Sequence, residues 1–576
     1  MRYPILSGKT PRRKSINTFT GYDRRLRAGE GSFFDTENVS CESFPMLSVR
    51  KKRGEVESFT APQGIIEKDA LAWVDNGTLY YNGLPTAIND LAEGEKQLVS
   101  MGAYLCIFPD RRYYNTADSG DFGSMDAHWS YSGTVSYTLC NAQGEGYSGV
   151  DYSLTEPNAP ENGDLWLDGE NHALCRWSNS LEQWVSIETV YTKLTFTTQG
   201  QLPTAFAEYD GIELSGCSVD SLNGNKVICA IGGGSGAGDY IVVAGEPIIG
   251  GAYLNESIRI DRNVPAMDFV CQCRNRLWGC RYGNDGNGNL NELYACALGD
   301  FKNWNRFTGL STDSWRASCG SDGEWTGAVN YLGSPIFFKE NCLHRIGVSS
   351  TGAHQVEETV CRGVEKGSAK SLAVVNETLY YKSVSDVCAY QGSFPESISA
   401  PLGDRHYKDA AAGVLKGRYY LSVLDAENNP ELFVFDTERG IWCREDELRA
   451  FQFAAKDGEL YCIADNRLIS MTGKNGTKED TVHWYAETGL LGLEYNDEKY
   501  VSRIVLRAIP EHGAELAVFV QYDSVDNWEY AGGMRKNVTG SIEIPLKLRR
   551  CDHFRIKIEG SGDMKLLSLA MEVTEG

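Results

Sequence analysis

The feature that most constrains this chain is a degenerate repeat of an apolar strand, a turn carrying Gly or Asn, and a second strand rich in Tyr or Leu. It is first met as Ala70-Leu71-Ala72-Trp73-Val74-Asp75-Asn76-Gly77-Thr78-Leu79-Tyr80-Tyr81, and again over residues 98–108. After a long gap it returns near residues 269–282, 328–338, 372–381, 413–423 and 451–462. In the latter half the spacing is about 40–45 residues, the period of a four-stranded propeller blade. One small twisted sheet cannot bury both its faces, whereas blades stacked around an axis bury them against each other. The chain therefore reads as all-β, a β-propeller of about 5–7 blades, with an array of β-sandwiches as the alternative.

Two regions break the repeat. Residues 117–260 read as an insertion of small β modules, polar and rich in Gly and Ser. Within it Gly163-Asp164-Leu165-Trp166-Leu167-Asp168, Trp177 and Trp184 suggest a hairpin unit with an aromatic core, and residues 214–245 alternate around Asn223-Gly224 and a Gly-rich loop at 232–238. From residue 478 to 576 the strands lengthen, at 501–509, 515–522, 540–546, 551–559 and 565–573, as in an antiparallel β-sandwich. The expected division is a basic N-terminal arm with a first propeller strand (1–55), the propeller in two parts (56–116 and 261–477), the insertion (117–260) and the C-terminal sandwich (478–576).

Charge is unevenly placed. Residues 1–53 hold 12 Lys/Arg against 5 Asp/Glu, while the rest holds 43 against 73. So acidic a body repels nucleic acid over most of its surface, which argues against general nucleic-acid binding. The basic segment, with Arg12, Arg13, Lys14, Arg24, Arg25, Arg27, Arg50, Lys51, Lys52 and Arg53, is the candidate contact with an acidic neighbour, including a second copy of the chain. The alternative is a solvated terminus. No apolar run approaches the ~20 residues of a membrane-spanning helix, so no membrane insertion is expected.

Motifs for chemistry are scarce. The 17 cysteines are odd in number and lack any CxxC, and they read as reduced, buried small hydrophobes. The 8 histidines are dispersed. No metal ligands, cofactor site or catalytic residues are expected from these patterns. Asn284-Asp285-Gly286-Asn287-Gly288-Asn289 has the look of a calcium loop around Asp285, but Cys296 stands where a closing Glu belongs, so a hairpin turn is expected. Ser321-Asp322-Gly323-Glu324-Trp325 reads as a turn that aims Trp325 into a blade. Trp166, Trp177 and Trp184 are candidates for stacking on sugar rings, with core packing as their alternative role.

Three stretches carry a resemblance. The first is Phe33-Phe34-Asp35-Thr36-Glu37-Asn38-Val39-Ser40 followed by Phe44-Pro45-Met46-Leu47-Ser48-Val49-Arg50, with Val39 where the pattern has Leu. The second is Tyr294-Ala295-Cys296-Ala297-Leu298-Gly299-Asp300 with Trp304, then Gly333-Ser334-Pro335-Ile336-Phe337-Phe338-Lys339-Glu340-Asn341. The third is Gln521-Tyr522-Asp523-Ser524 with Trp528, Pro545, Arg549-Arg550-Cys551-Asp552-His553-Phe554 and Gly560-Ser561-Gly562-Asp563. In this order they resemble β-propeller virion proteins of tailed bacteriophages and prophages of Gram-positive gut bacteria. More loosely, they are similar to packaged-DNA stabilisation and tail-nozzle propellers. The resemblance implies a structural tail or head–tail protein, made in the host cytoplasm and located in the virion. It further implies a symmetric homo-oligomer that contacts other tail or connector proteins, and no enzymatic activity. Two other readings stand beside it: an adsorption protein at the tail tip that recognises host surface glycans, and a virion glycosidase, which needs a pair of carboxylates that no motif picks out.

Overall fold

The structure is a computed structural model that describes residues 11–25, 28–234, 237–245, 251–286, 288–349, 352–494, 496–525, 527–534 and 539–575. Among these residues the only α-helix is Leu202–Ala205, and no helix is long and apolar enough to cross a membrane.

Seven sheets form the blades of a propeller. They cover residues 62–85, 97–124, 269–318, 327–360, 373–397, 408–444 and 450–470, numbered here blades 1 to 7. Each of the first six has four strands in sequence order, and antiparallel pairing joins neighbours throughout. Blade 7 draws a strand from far away in the chain, Gly54–Ser58, which pairs antiparallel with Arg467–Ser470. Apolar residues fill every junction round the ring. Val74 and Leu79 meet Leu98 and Ile107 between blades 1 and 2, and Cys273 and Trp278 meet Phe337 and Ile346 between blades 3 and 4. Ile65 and Trp73 meet Tyr461 and Ile463 between blades 1 and 7, which closes the circle. All seventeen thiols are free and fourteen are buried, as expected for small apolar side chains.

The turns show why the sequence folds this way locally. Five blades pass from first to second strand through two consecutive residues with positive φ: Arg274-Asn275, Leu332-Gly333, Asn376-Glu377, Lys416-Gly417 and Asp457-Gly458. A two-residue turn of that shape matches the twist of the strands it joins, which is why Gly, Asn and Asp recur there.

The insertion leaves blade 2 and returns to blade 3. Its long strands Ala127–Cys140 and Gly251–Arg262 pair antiparallel and form the centre of a seven-stranded sheet. Tyr137, Leu194, Phe196, Ile212 and Ile241 are in its core. A separate four-stranded sheet, residues 150–186, is carried by this module.

The sandwich differs from expectation in one respect. Its two sheets contain the N-terminal segment as well as residues 483–575. Arg12–Ile16 and Leu47–Val49 pair with Met564–Glu575, and Ser32–Glu37 pairs with His483–Thr488. Ile16, Phe19, Phe33, Val39 and Leu47 sit in the same core as Ile504, Val518, Ile556 and Leu569. The described residues from 11 to 49 are thus not an arm but part of the sandwich. Alternation hides this in sequence, because the charged residues occupy the outward positions of the same strands.

The basic residues are consumed within the chain accordingly. Lys14 pairs with Glu30 at 2.6 Å and Glu494 at 2.9 Å, Arg25 with Asp23 at 2.5 Å, and Lys51 with Glu42 at 3.1 Å. Arg24 lies over the ring of Phe34 at 5.2 Å, Lys52 is half-buried, and Arg12 and Arg13 stay exposed on the edge strand. Arg27 lies outside the described residues. Arg50 and Arg53 are buried. Arg50 binds Glu479, and Arg53 holds Asp446 at 2.6 Å and Glu445 at 2.9 Å. Burial works against the charge of Asp446, but Arg53 and Arg50 outweigh it and hold the carboxyl below its ordinary range.

Two outcomes test this architecture. Arg53→Met leaves Glu445 and Asp446 buried without their cation, and it should destabilise the fold by about 3–5 kcal/mol and speed amide exchange over residues 54–58. The Asp446 contribution is complete above its unfolded value near 4 and is lost as pH falls through the depressed folded value. Acid titration of the wild type should therefore show a loss that Arg53→Met lacks. Separately, Leu332 is 59 % exposed at φ 49°, so Leu332→Asn should raise stability by about 1 kcal/mol in thermal unfolding.

Candidate functional site

The four-stranded sheet of the insertion brings the three tryptophans together. Trp166 is on Leu165–Asp168, Trp177 on Ala173–Ser178 and Trp184 on Gln183–Ser186. In register, Trp166 faces Cys175, which faces Ser186, and Trp177 faces Trp184. Register partners point to one side of a sheet and residues two apart share that side, so all three indoles lie on the same face. The opposite face carries Leu167 and Leu174, which pack with Leu139 and Val190. On the tryptophan face Trp166 is buried, as the core-packing alternative has it, whereas Trp177 and Trp184 are only half-buried.

Their geometry is fixed by edge contacts. Trp184 meets Trp166 and Trp177 with ring centroids 5.5 Å apart in each case, at interplanar angles of 61° and 65°. Such contacts contribute about 0.5–1.5 kcal/mol each beyond area burial. Trp166 forms the floor at 8 % exposure, its indole N–H donated to Ser153 Oγ at 3.0 Å, while Trp177 and Trp184 are half-buried. Trp177 donates to Asn179 Oδ1 at 2.8 Å. The Trp184 indole N–H is buried and has no acceptor among the described residues. Polar groups border the face. Asp151 is exposed and in register with Trp166, and Asn179 is exposed beside Trp177. At the far end Asp168 accepts from the Asn171 side chain and from the Glu170 and Asn171 backbones, which hold its carboxyl low and fix the turn.

A second concavity lies at the propeller axis. A cavity of about 870 Å³ is lined by residues that enter blades 1, 2, 5, 6 and 7, among them Glu95, Lys370, Asp409, Arg449 and Phe451. Lys370 reaches across the axis from the approach to blade 5 and pairs with Glu95, before blade 2, at 3.0 Å. Its ammonium sits 3.2 Å from the centre of the Phe451 ring, and burial lowers its pKa. Arg449 donates to the Asp409 carbonyl at 2.6 Å. Asp409 has φ 50° within a β-bulge between Lys408 and Ala411, a strained conformation of the kind that gathers at functional sites. No motif revealed this group, because its members come from four separate stretches of sequence.

The loop around Asp285 is a hairpin turn. Its Asn284 and Asp285 side-chain oxygens accept from the backbones of Gly286 and Gly288, and Asn287 lies outside the described residues. Trp325 is buried between blades 3 and 4, as its turn suggested.

No family model matches the chain, and no curated protein is similar to it. Solved structures do show likenesses. An exo-beta-1,3-galactanase from Phanerochaete chrysosporium is 10 % identical, with 52 % of this chain and 94 % of that chain covered at a TM-score of 0.21. The extracellular domain of a hybrid two-component system from B. thetaiotaomicron is 9 % identical, with 93 % and 94 % covered and a TM-score of 0.24. A Trypanosoma rangeli sialidase is 8 % identical, with 98 % and 96 % covered and a TM-score of 0.19. These comparisons correct the expectation of a structural virion protein without enzymatic activity. The proteins that they bring up are glycoside hydrolases and a sensor ectodomain, not tail or connector proteins, and that expectation is withdrawn. At such identities and TM-scores the likenesses transfer no activity to this chain.

Proposed function

We propose that this protein binds carbohydrate through the face formed by Trp166, Trp177 and Trp184. The observation that carries the reading is the side of the sheet on which the indoles lie, away from the packed Leu167–Leu174 face. Half-buried indoles on a rigid sheet offer apolar ring faces to the CH side of a pyranose at little loss of conformational entropy. Asp151 and Asn179 supply polar groups for sugar hydroxyls. The tilt between rings makes the surface corrugated, which suits a chain of sugars better than one flat ring.

Full-length protein on a glycan array should give hits that calorimetry confirms. Trp177→Ala and Trp184→Ala should each weaken them by about tenfold, roughly 1.4 kcal/mol, without lowering the thermal midpoint of the propeller. An empty array, or hits indifferent to both substitutions, would refute the assignment.

The carboxylates of Asp409 and Glu95 on one cavity favour a second reading, in which the axial cavity acts on a sugar and these groups serve as acid and base. In that case, incubation with oligosaccharides bound at the tryptophan face should release shorter products. Asp409→Asn and Glu95→Gln should each abolish the release, and intact oligosaccharide after prolonged incubation with the wild type would exclude this reading.

A further inference from the structure

We propose that Cys342, His344 and Glu358 on blade 4 form a binding site for a divalent metal ion of the zinc type. Cys342 and His344 are two apart on the strand Cys342–Val348, so their side chains leave from one face. Glu358, on His354–Val360, stands in register with His344 and joins that face from the next strand. One donor atom from each of the three lies within 4.8 Å of the other two, the one such group found among the described residues. Zinc bonds of about 2.0–2.3 Å ask for donors roughly 3.3–3.8 Å apart in a tetrahedron, so side-chain rotations alone can close the set.

The surroundings suit an ion better than they suit its absence. His344 is 1 % exposed, and its Nε2 has Ser321 Oγ at 3.1 Å and Glu358 Oε2 at 3.4 Å. Its Nδ1 is buried and has no partner among the described residues. Nε2, which faces both Ser321 and Glu358, is the nitrogen placed to meet an ion shared with Glu358. Soft sulfur, imidazole nitrogen and one carboxylate form a donor set that zinc accepts.

Lys339 is the cation beside the cluster, and its charge is already directed elsewhere. The ammonium donates to Asn291 Oδ1 at 3.0 Å and to the Ser321 carbonyl at 2.7 Å, and it lies over the Trp325 ring. As the Cys342 sulfur–metal bond forms, the sulfur–hydrogen bond breaks and the proton passes to solvent. Glu358, whose side chain is 42 % exposed, opens the cluster to solvent and gives both the ion and the departing proton a path. The fourth position of a tetrahedral ion falls to a water on that side.

The test uses the full chain stripped with a chelator. Equilibrium dialysis against Zn²⁺ should return one ion per chain, and Co²⁺ in its place should give a thiolate-to-cobalt charge-transfer absorption. Cys342→Ser should remove that absorption. Glu358→Gln, at the exposed edge, should weaken Zn²⁺ at least about tenfold while circular dichroism stays unchanged. Failure of the wild type to retain stoichiometric Zn²⁺, or the same absorption in Cys342→Ser, would overturn the site. Should Cys342→Ser not fold, Glu358→Gln decides alone, and an unchanged affinity overturns the proposal.

Discussion

The architecture depends on one strand and the charges that fix it. Gly54–Ser58 supplies the fourth strand of blade 7, more than 400 residues before the strand it pairs with, and so ties the segment ahead of blade 1 to the last blade. On either side of that pairing the chain commits Arg50 and Arg53 to Glu479, Glu445 and Asp446. These groups lie in a buried polar seam, so neither partner can be removed without exposing the other to an apolar setting. The closing strand is therefore held at both the backbone and the side-chain level.

The same crossing ties the sandwich to the propeller. The chain begins in the sandwich, passes through the closing strand into blade 1, runs round the ring, and returns from blade 7 to the sandwich. Asn38 N–H donates to the Glu445 carbonyl and Thr36 Oγ1 to the Arg444 carbonyl, so the N-terminal strands touch blade 6 and the segment leading from it directly. Phe19, Phe33 and Leu47 can reach the sandwich core only after residues 483–575 exist, which makes both ends of the chain late partners in folding.

How much of this the sequence disclosed follows from the range of the interactions. Hairpins such as 70–81 and 413–423 are local, and alternation plus Asn-Gly or Lys-Gly turns make them readable one at a time. The blade count was left open because blade 7 needs a strand with only one apolar residue, Val56, which no periodicity singles out. The N-terminal strands were read as an arm because net charge is conspicuous, whereas a strand half-covered by a sandwich is charged on one side by design of the pleat. The tryptophans were legible as a unit, but which face they occupy depends on register, and Trp177 opposite Trp184 becomes visible only in the paired sheet. Cys342 and His344 lie two apart in the sequence. Glu358 joins them only through a hairpin register that the sequence does not state.

The two concave or aromatic surfaces differ in how freely each can respond to a ligand. The axial cavity is spanned by Lys370 and Glu95, whose pairing over Phe451 joins elements on nearly opposite sides of the ring. A ligand entering there must compete with that ion pair and with packing that a closed ring resists deforming. The tryptophan face belongs to a small sheet with its own apolar layer, Leu139, Leu167, Leu174 and Val190, distinct from the clusters that seal the blades. Changes on it leave the ring closure untouched. A chain that must keep seven blades sealed can vary its recognition surface most readily on such an outgrowth, and that is where the half-buried Trp177 and Trp184 are found.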